Sequence, residues 1–236
     1  MHTTIHRAGS RGLTETDWLT SRHSFSFGEY YDPERINFGA LRVLNDDTVA
    51  AGAGFGTHPH RDMEIISIPL AGALEHKDST GATGVLRPGK IQVMSAGTGI
   101  RHSEYNHSQE DPVSFLQIWI TPSRTGFPPR YDEKDFDVQS AKNALLTIIT
   151  PEKTDSTLWL NQDARLSLAS LDANASVEYR MQGSGHGLYV FVIEGAVRIG
   201  EHELGKRDAI GISEFESVAI VAGAASELLL IEVPMG

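Results

Sequence analysis

Short apolar segments separated by glycine or proline dominate the chain between residues 49 and 119. The clearest examples are residues 65–70, 89–94 and 114–120. Turn residues recur about every 8–12 positions, and this spacing predicts an antiparallel sandwich or barrel rather than a parallel sheet with crossover helices. Pro69 has no N–H to give to a neighbouring strand, so we expect its strand to lie at a sheet edge or to be bulged there.

A proline-rich connection divides the chain. Residues 121–130 contain three prolines and one glycine, and an acidic stretch follows at residues 131–136. This composition is typical of an extended link between folded units. We therefore predict an N-terminal domain at residues 1–133 and a C-terminal domain at residues 134–236.

Two segments of the N-terminal half carry potential metal ligands two residues apart. The first holds His58 and His60, the second holds His102 and Glu104, and glycines flank both. Residues two apart on a strand share a face and lie about 6.5–7 Å from each other. If the two strands are neighbours, three imidazoles and one carboxylate converge, so we predict that these four residues bind one metal ion.

The predicted donors restrict the choice of ion. Three neutral nitrogens and one carboxylate suit divalent Fe, Mn, Co, Ni, Cu or Zn, and they fit poorly the all-oxygen shells of Mg²⁺ and Ca²⁺. One carboxylate leaves the bound dication with net positive charge. The site would therefore attract an anionic oxygen of a substrate, and an ion that accepts six ligands has room for it.

The second half repeats the first without its histidine pairs. Residues 189–195 are similar to the segment that ends at Gly72, and residues 204–206 are similar to residues 88–90. Alignment on these glycines places Met181, Gly183, Val218 and Ile220 at the positions of His58, His60, His102 and Glu104, in that order. We therefore expect a second barrel with an apolar centre and no metal.

Other polar residues lie near the two segments in the sequence. Glu64 is either a partner for the second ring nitrogen of a ligand or a surface carboxylate, and the sequence does not separate these alternatives. We expect His76 to lie on a solvated hairpin and His23 to be a hydrogen-bonded core residue. His186 and His202 have no partner two residues away, so we expect surface or hydrogen-bonded positions.

Charge and composition exclude several classes of function. The chain has 20 basic and 31 acidic residues, which argues against direct binding to nucleic acid or to anionic membranes. It has no cysteine, so disulfides, thiolate nucleophiles and cysteine-bound zinc are excluded. We find neither an apolar secretion signal at the N-terminus nor a run of about 20 apolar residues, and we expect a soluble cytoplasmic protein.

The residues around the histidines resemble those of pirin and its bacterial relatives in the cupin superfamily. The resemblance rests on residues 55–64, 75–79 and 94–106, and it extends upstream to residues 23–27 and 31–33. It is specific up to about residue 130 and thin beyond it.

The resemblance implies a fold and a ligand set. The fold is an all-β bicupin, with two antiparallel jelly-roll barrels and few short helices, and with metal in the first barrel only. Most cupins use the glutamate of their first motif as a ligand, whereas pirins take a carboxylate two residues after the histidine of the second motif. By this resemblance Glu104 is the ligand and Glu64 is not.

The resemblance also implies an activity. Bacterial pirins suggest a quercetin 2,3-dioxygenase with Fe(II), in which a flavonol binds through its 3-hydroxyl and Glu104 is the catalytic proton acceptor as well as a ligand. Dioxygen then opens the ring with release of carbon monoxide. We expect a monomer whose partners are the flavonol and dioxygen.

Two other functions fit the same residues. Animal pirin is regarded as a metal-dependent regulator, which would make this chain a redox sensor that binds a protein partner. Sugar isomerase or cupin hydrolase chemistry would keep the ligands and change the substrate. We rank this isomerase or hydrolase chemistry last because it does not use the pirin-type residues around the motifs.

Overall fold

The computed structural model describes residues 1–236 and is built almost entirely from strands. Its two helices are single 3₁₀ turns, Ala8–Ser10 and Val138–Ala141. The first twelve strands are β1 (His2–His6), β2 (Gly12–Glu15), β3 (Leu19–His23), β4 (Leu41–Val49), β5 (Gly54–His60), β6 (Glu64–Ala71), β7 (Leu74–Asp78), β8 (Thr83–Leu86), β9 (Lys90–Ser95), β10 (Ile100–Asn106), β11 (Val113–Ile120) and β12 (Arg130–Asp135).

Ten further strands complete the fold. They are β13 (Leu145–Thr150), β14 (Leu158–Trp159), β15 (Arg165–Leu171), β16 (Ser176–Arg180), β17 (His186–Glu194), β18 (Ala196–Ile199), β19 (His202–Gly205), β20 (Ala209–Ser213), β21 (Ser217–Ala222) and β22 (Ser226–Pro234). No helix of this structure is long and apolar enough to cross a membrane.

The strands form two sandwiches, each with a seven-stranded and a four-stranded sheet. The first sandwich has strand orders β12-β9-β6-β11-β4-β3-β2 and β5-β10-β7-β8. The second has orders β1-β20-β17-β22-β15-β13-β14 and β16-β21-β18-β19. The predicted all-β bicupin is confirmed, with sheets that pack as jelly-roll sandwiches rather than as closed barrels.

Strands near the chain ends connect the two halves. β1 pairs with β20 from His2↔Ser213 to His6↔Ala209, so the first strand of the chain belongs to the second sandwich. The predicted boundary at residue 133 falls within β12, which pairs with β9. The division of the chain at this residue stays a prediction.

Apolar side chains are distributed unequally between the two sandwiches. A cluster of 25 buried residues contains side chains from both halves, among them Phe25, Ile118, Tyr189 and Leu229. The second sandwich holds a further cluster of 17 buried residues, whereas the first holds separate clusters of six and four. The interior of the first sandwich therefore has room for polar side chains, and these build the site described below.

Pro69 lies at an irregularity, as expected. β6 is an inner strand, but its register with β11 shifts between Ser114↔Ala71 and Phe115↔Pro69, and its pairing with β9 ends at Ser67. The missing N–H of Pro69 therefore interrupts no regular ladder.

Candidate metal centre

The predicted ligands lie on two adjacent strands of the four-stranded sheet. β10 pairs with β5, which places His102 opposite His58 and Ile100 opposite His60. A β-bulge interrupts this register between His102 and Glu104. On its other side β10 pairs with β7, where Glu104 lies opposite His76.

The three predicted imidazoles form one tight group. The ring centroids of His58 and His102 are 4.5 Å apart, and His60 lies 4.8 Å from each of them. Potential ligand atoms of the three side chains all lie within 4.8 Å of one another. This spacing is compatible with ligation of a single ion.

Hydrogen bonding supports the fit of a metal to these side chains. His102 is buried, yet neither ring nitrogen has a hydrogen-bond partner. The Nδ1 atom of His58 lies 2.7 Å from the carbonyl oxygen of Gly56, which leaves its Nε2 atom free for a metal. Buried polar atoms without partners are rare in native proteins, and a bound cation would satisfy one of the two ring nitrogens of His102.

Burial keeps two of the imidazoles neutral. Desolvation, followed by the neighbouring histidines, lowers the pKa of His102 to about 3. Desolvation, followed by His102 and His58, lowers the pKa of His60 to about 4. Only a neutral imidazole offers a lone pair to a metal, so both residues are in the ligating form at neutral pH.

Glu104 belongs to an overlapping group of potential ligands with His76 and His102. Its Oε1 atom accepts hydrogen bonds from Ser67 Oγ at 2.9 Å and Gln92 Nε2 at 3.0 Å. Its Oε2 atom accepts one from Gln117 Nε2 at 2.6 Å. These three neutral donors fix the carboxylate in place.

Comparison with known proteins identifies the family. Residues 5–120 match the family model of Pirin, and residues 147–233 match that of the Quercetinase C-terminal cupin domain. A quercetin 2,3-dioxygenase of Escherichia coli K12 is 40% identical over 230 residues, which cover 98% of each chain. This chain belongs to the pirin family.

Two further relatives agree with this assignment. A pirin-like protein of Caulobacter vibrioides is 39% identical over 222 residues, with 94% of this chain and 95% of the relative covered. The crystal structure of bacterial pirin YhhW from Escherichia coli, in complex with nickel(II), covers 100% of both chains with a TM-score of 0.94 and 37% identity. The donor set described above therefore lies in a fold for which a metal complex has been solved.

His76 is a site residue of this pirin-family chain that the sequence analysis missed. The expected solvated hairpin is wrong, because β7 lies between β10 and β8 and His76 is 0% exposed. Its Nε2 atom lies 3.0 Å from Asp78 Oδ2, and its ring stacks on Tyr131 at 4.5 Å. The alternation of Leu74, His76 and Asp78 with charged Glu75 and Lys77 is compatible with an inward face, but it does not distinguish that face from a solvated hairpin.

Glu64 fits neither of the roles considered for it. It is buried, accepts a hydrogen bond from Ser95 Oγ at 2.7 Å, and accepts one from Asn161 Nδ2 at 3.0 Å. Asn161 belongs to the second half of the chain, so Glu64 joins the two sandwiches. No imidazole hydrogen-bonds to it.

The remaining histidines have hydrogen-bonded positions. His23 is buried as expected, and its Nδ1 lies 2.9 Å from Asn45 Oδ1, but it also lines the cavity of the site. His186 is buried with its Nδ1 atom 2.9 Å from Glu232 Oε1. The hydrogen-bonded alternative is therefore confirmed for His186.

The second sandwich has apolar residues where the first has ligands. Pairing of β21 with β16 places Val218 opposite Tyr179, in the way that His102 lies opposite His58. The predicted equivalence of Met181 with His58 is wrong by two residues, because residues 181–185 connect β16 to β17 whereas only residues 61–63 connect β5 to β6. Tyr179, Val218 and Ile220 all belong to the buried apolar cluster.

A cavity of about 260 Å³ opens beside the predicted ligands, and all four of them line it. Phe27, Phe55 and Trp119 supply aromatic walls. Trp119 also packs edge-on against His60, with ring centroids 4.9 Å apart. A concave cavity that combines aromatic walls with convergent polar side chains is a usual form of small-molecule site.

Proposed function

We propose that this protein is a metal-dependent dioxygenase that opens the ring of a flavonol-like substrate and releases carbon monoxide. The observation that carries the proposal is the group of three imidazoles, with unpartnered buried nitrogens on His102, at the wall of an aromatic cavity. The relatives named quercetin 2,3-dioxygenase support the reaction type.

The proposed ligands are His58, His60, His102 and Glu104, which together hold one divalent ion. Fe(II) is the proposed ion, and Mn, Co, Ni, Cu and Zn suit the same donors. When bound, the ion supplies Lewis acidity that lowers the pKa of a substrate hydroxyl. The crystal structure of the related YhhW protein in complex with nickel(II) supports the binding of a metal ion by this fold.

The protein side chains would orient the substrate and receive its proton. Phe27, Phe55 and Trp119 would pack against a planar ring and exclude water from it. The resemblance to bacterial pirins implies Glu104 as the proton acceptor, and Ser67, Gln92 and Gln117 hold its carboxylate in one orientation. A carboxylate within hydrogen-bond reach of a hydroxyl can act as a general base.

The test is anaerobic reconstitution of metal-free protein with each of the six ions, followed by quercetin and dioxygen. Loss of flavonol absorbance together with release of carbon monoxide is the expected result. His102→Gln should abolish both, while His186→Gln, a buried histidine of the second sandwich, should keep them. Tight metal binding without turnover by any ion would contradict the dioxygenase and favour a metal-dependent sensor that binds a protein partner.

A further inference from the structure

A strip of polar side chains lines the cavity from the seven-stranded sheet, across the sandwich from the imidazoles. It consists of Thr14 on β2, Ser21 and His23 on β3, and Asn45 and Asp47 on β4. Antiparallel pairing places Ser21 opposite Asp47 and His23 opposite Asn45. None of these five side chains hydrogen-bonds to a proposed metal ligand. The strip therefore does not serve to position the ligands.

The strip is connected by hydrogen bonds. His23 Nε2 lies 2.9 Å from Thr14 Oγ1, and its Nδ1 atom lies 2.9 Å from Asn45 Oδ1 and 3.4 Å from Ser21 Oγ. The Ser21 hydroxyl in turn donates to Asp47 Oδ1. These contacts fix the position of Asp47 within the cavity wall.

Asp47 is a buried carboxylate in the cavity wall that has no cationic partner. Its side chain is 3% exposed, and no lysine or arginine pairs with it. Ser21 is its one side-chain donor, and its second oxygen, Oδ2, accepts no hydrogen bond. Burial of a carboxylate without a cation is costly, so a group of this kind in a cavity points to a role in the chemistry.

Comparison with Glu104 shows which carboxylate is the better proton acceptor. Three donors already occupy the two carboxylate oxygens of Glu104, and metal ligation would occupy them further. Asp47 has one donor, to Oδ1, so its Oδ2 atom is free to receive a proton from a molecule in the cavity.

We propose that Asp47 is a catalytic residue that accepts the proton of a hydroxylated aromatic substrate, in the place that the sequence assigns to Glu104. The substrate O–H bond breaks, its electron pair stays on the substrate oxygen, and a new O–H bond forms at Asp47 Oδ2. The proton remains on Asp47 until the product leaves. This inference rests on the proposed function, because it assumes a substrate with an acidic hydroxyl.

Electrostatics around Asp47 agree with this role. The pKa of Asp47 is raised to about 7, chiefly by burial; the Ser21 hydrogen bond opposes this rise, and the charges of Asp46 and Glu104 contribute to it. Asp46 points to the other face of β4, where Arg11 and Arg207 pair with it. His23 is the titratable neighbour on β3, and burial lowers its pKa, which keeps it neutral.

The experiment follows proton transfer without turnover. Protein loaded with redox-inert Zn(II) is mixed with quercetin in the absence of dioxygen, and the rate of flavonolate formation is recorded by absorbance across pH. Asp47→Asn should lower this rate at pH 8 by roughly 10²–10⁴-fold, the usual contribution of a general base, and should remove the rise of rate with pH. Ser21→Ala should move the inflection to higher pH, because it deletes the bond that lowers the pKa of Asp47.

Glu64→Gln is the matched control, since Glu64 is a buried carboxylate of the same sandwich outside the cavity. It should keep the wild-type pH profile. Infrared titration of the metal-free protein gives a second measurement: the protonated carboxyl band should vanish in Asp47→Asn and persist to higher pH in Ser21→Ala.

The outcomes separate the two proposals. Flavonolate formation that is unchanged in Asp47→Asn and lost in Glu104→Gln would overturn the role of Asp47 and leave the proposed function intact. Wild-type protein that forms no flavonolate with any of the ions would overturn the proposed substrate class, and the role of Asp47 with it.

Discussion

His102 lies directly opposite His58 across the β5–β10 pair, and the centroids of their rings are 4.5 Å apart. The site therefore depends on the register of two strands rather than on a flexible loop. Any change that separates β5 from β10 should disturb the metal, even if every ligand is retained.

Gly54 offers a test of this dependence. A Cβ atom at this position would overlap the carbonyl oxygen of Glu104 and would lie 2.5 Å from Tyr105 Cα, so Gly54→Ala must push the two strands apart. We expect a loss of metal affinity of about 10–100-fold, similar to that for residues that support a ligand. Isothermal titration calorimetry with Zn(II) measures it.

Gly56→Ala is the control on the same strand. Its added Cβ would meet only the Tyr105 hydroxyl, at an ordinary 3.7 Å. We expect the affinity of this variant to stay within a factor of about three of the wild type, because no strand has to move. Equal losses in the two variants would show that strand separation is not the cause.

Protons should compete with the metal for His60 and His102 only at low pH. Because burial lowers the pKa of His60 to about 4 and that of His102 to about 3, neither residue carries a proton for the metal to displace above pH 5. Protons compete at these two residues only as the pH falls through those values. Calorimetry in buffers of different ionisation enthalpy should find at most one proton released between pH 5 and 7. Release of three protons at pH 5.5 would contradict the buried, neutral pair.

Asp47→Asn should stabilise the protein while it impairs proton transfer. Folding raises the pKa of Asp47 from 3.8 to about 7, so its contribution to stability is present at low pH and is lost as the pH rises through this range. The neutral amide of the variant avoids this loss. Since one pKa unit corresponds to about 1.4 kcal/mol, we expect the free energy of unfolding of Asp47→Asn to exceed that of the wild type by about 4 kcal/mol at pH 8. Thermal unfolding should show a gain at pH 8 that shrinks towards pH 4. A gain independent of pH would exclude the carboxylate as its source.

His76→Ala should destabilise the first sandwich. The substitution removes a fully buried ring that stacks on Tyr131 and hydrogen-bonds to Asp78. We expect the free energy of unfolding to fall by about 2–4 kcal/mol, from the cavity and the lost hydrogen bond together. Urea denaturation measures the change. His107→Ala, on the exposed side of the same sheet, should stay within about 0.5 kcal/mol of the wild type.

Strand periodicity and paired histidines made much of the structure predictable. The alternation rule places His58 with His60, and His102 with Glu104, from local sequence alone, and glycine and proline mark the turns between strands. The antiparallel all-β class followed from the same spacing, whereas the resemblance to pirins implied the bicupin architecture. These features depend on residues that are close in sequence.

Features that depend on residues distant in sequence could not be predicted in this way. The pairing of β1 with β20 joins segments about two hundred positions apart, and no local pattern specifies it. His76 was misplaced because a charged hairpin and an inward-facing strand share the same alternation, and only the neighbours of β7 decide between them. The strip around Asp47 is assembled from three strands whose order in the sheet is a property of the whole fold.

The most direct test of the central claim is an anomalous diffraction map of crystals of the Fe(II)-loaded protein, recorded at the iron edge. We expect one strong peak per chain, within bonding distance of His58, His60, His102 and Glu104, and no peak in crystals of His102→Gln. A peak bound by His76 without His58 and His60, or a peak in the second sandwich, would contradict it.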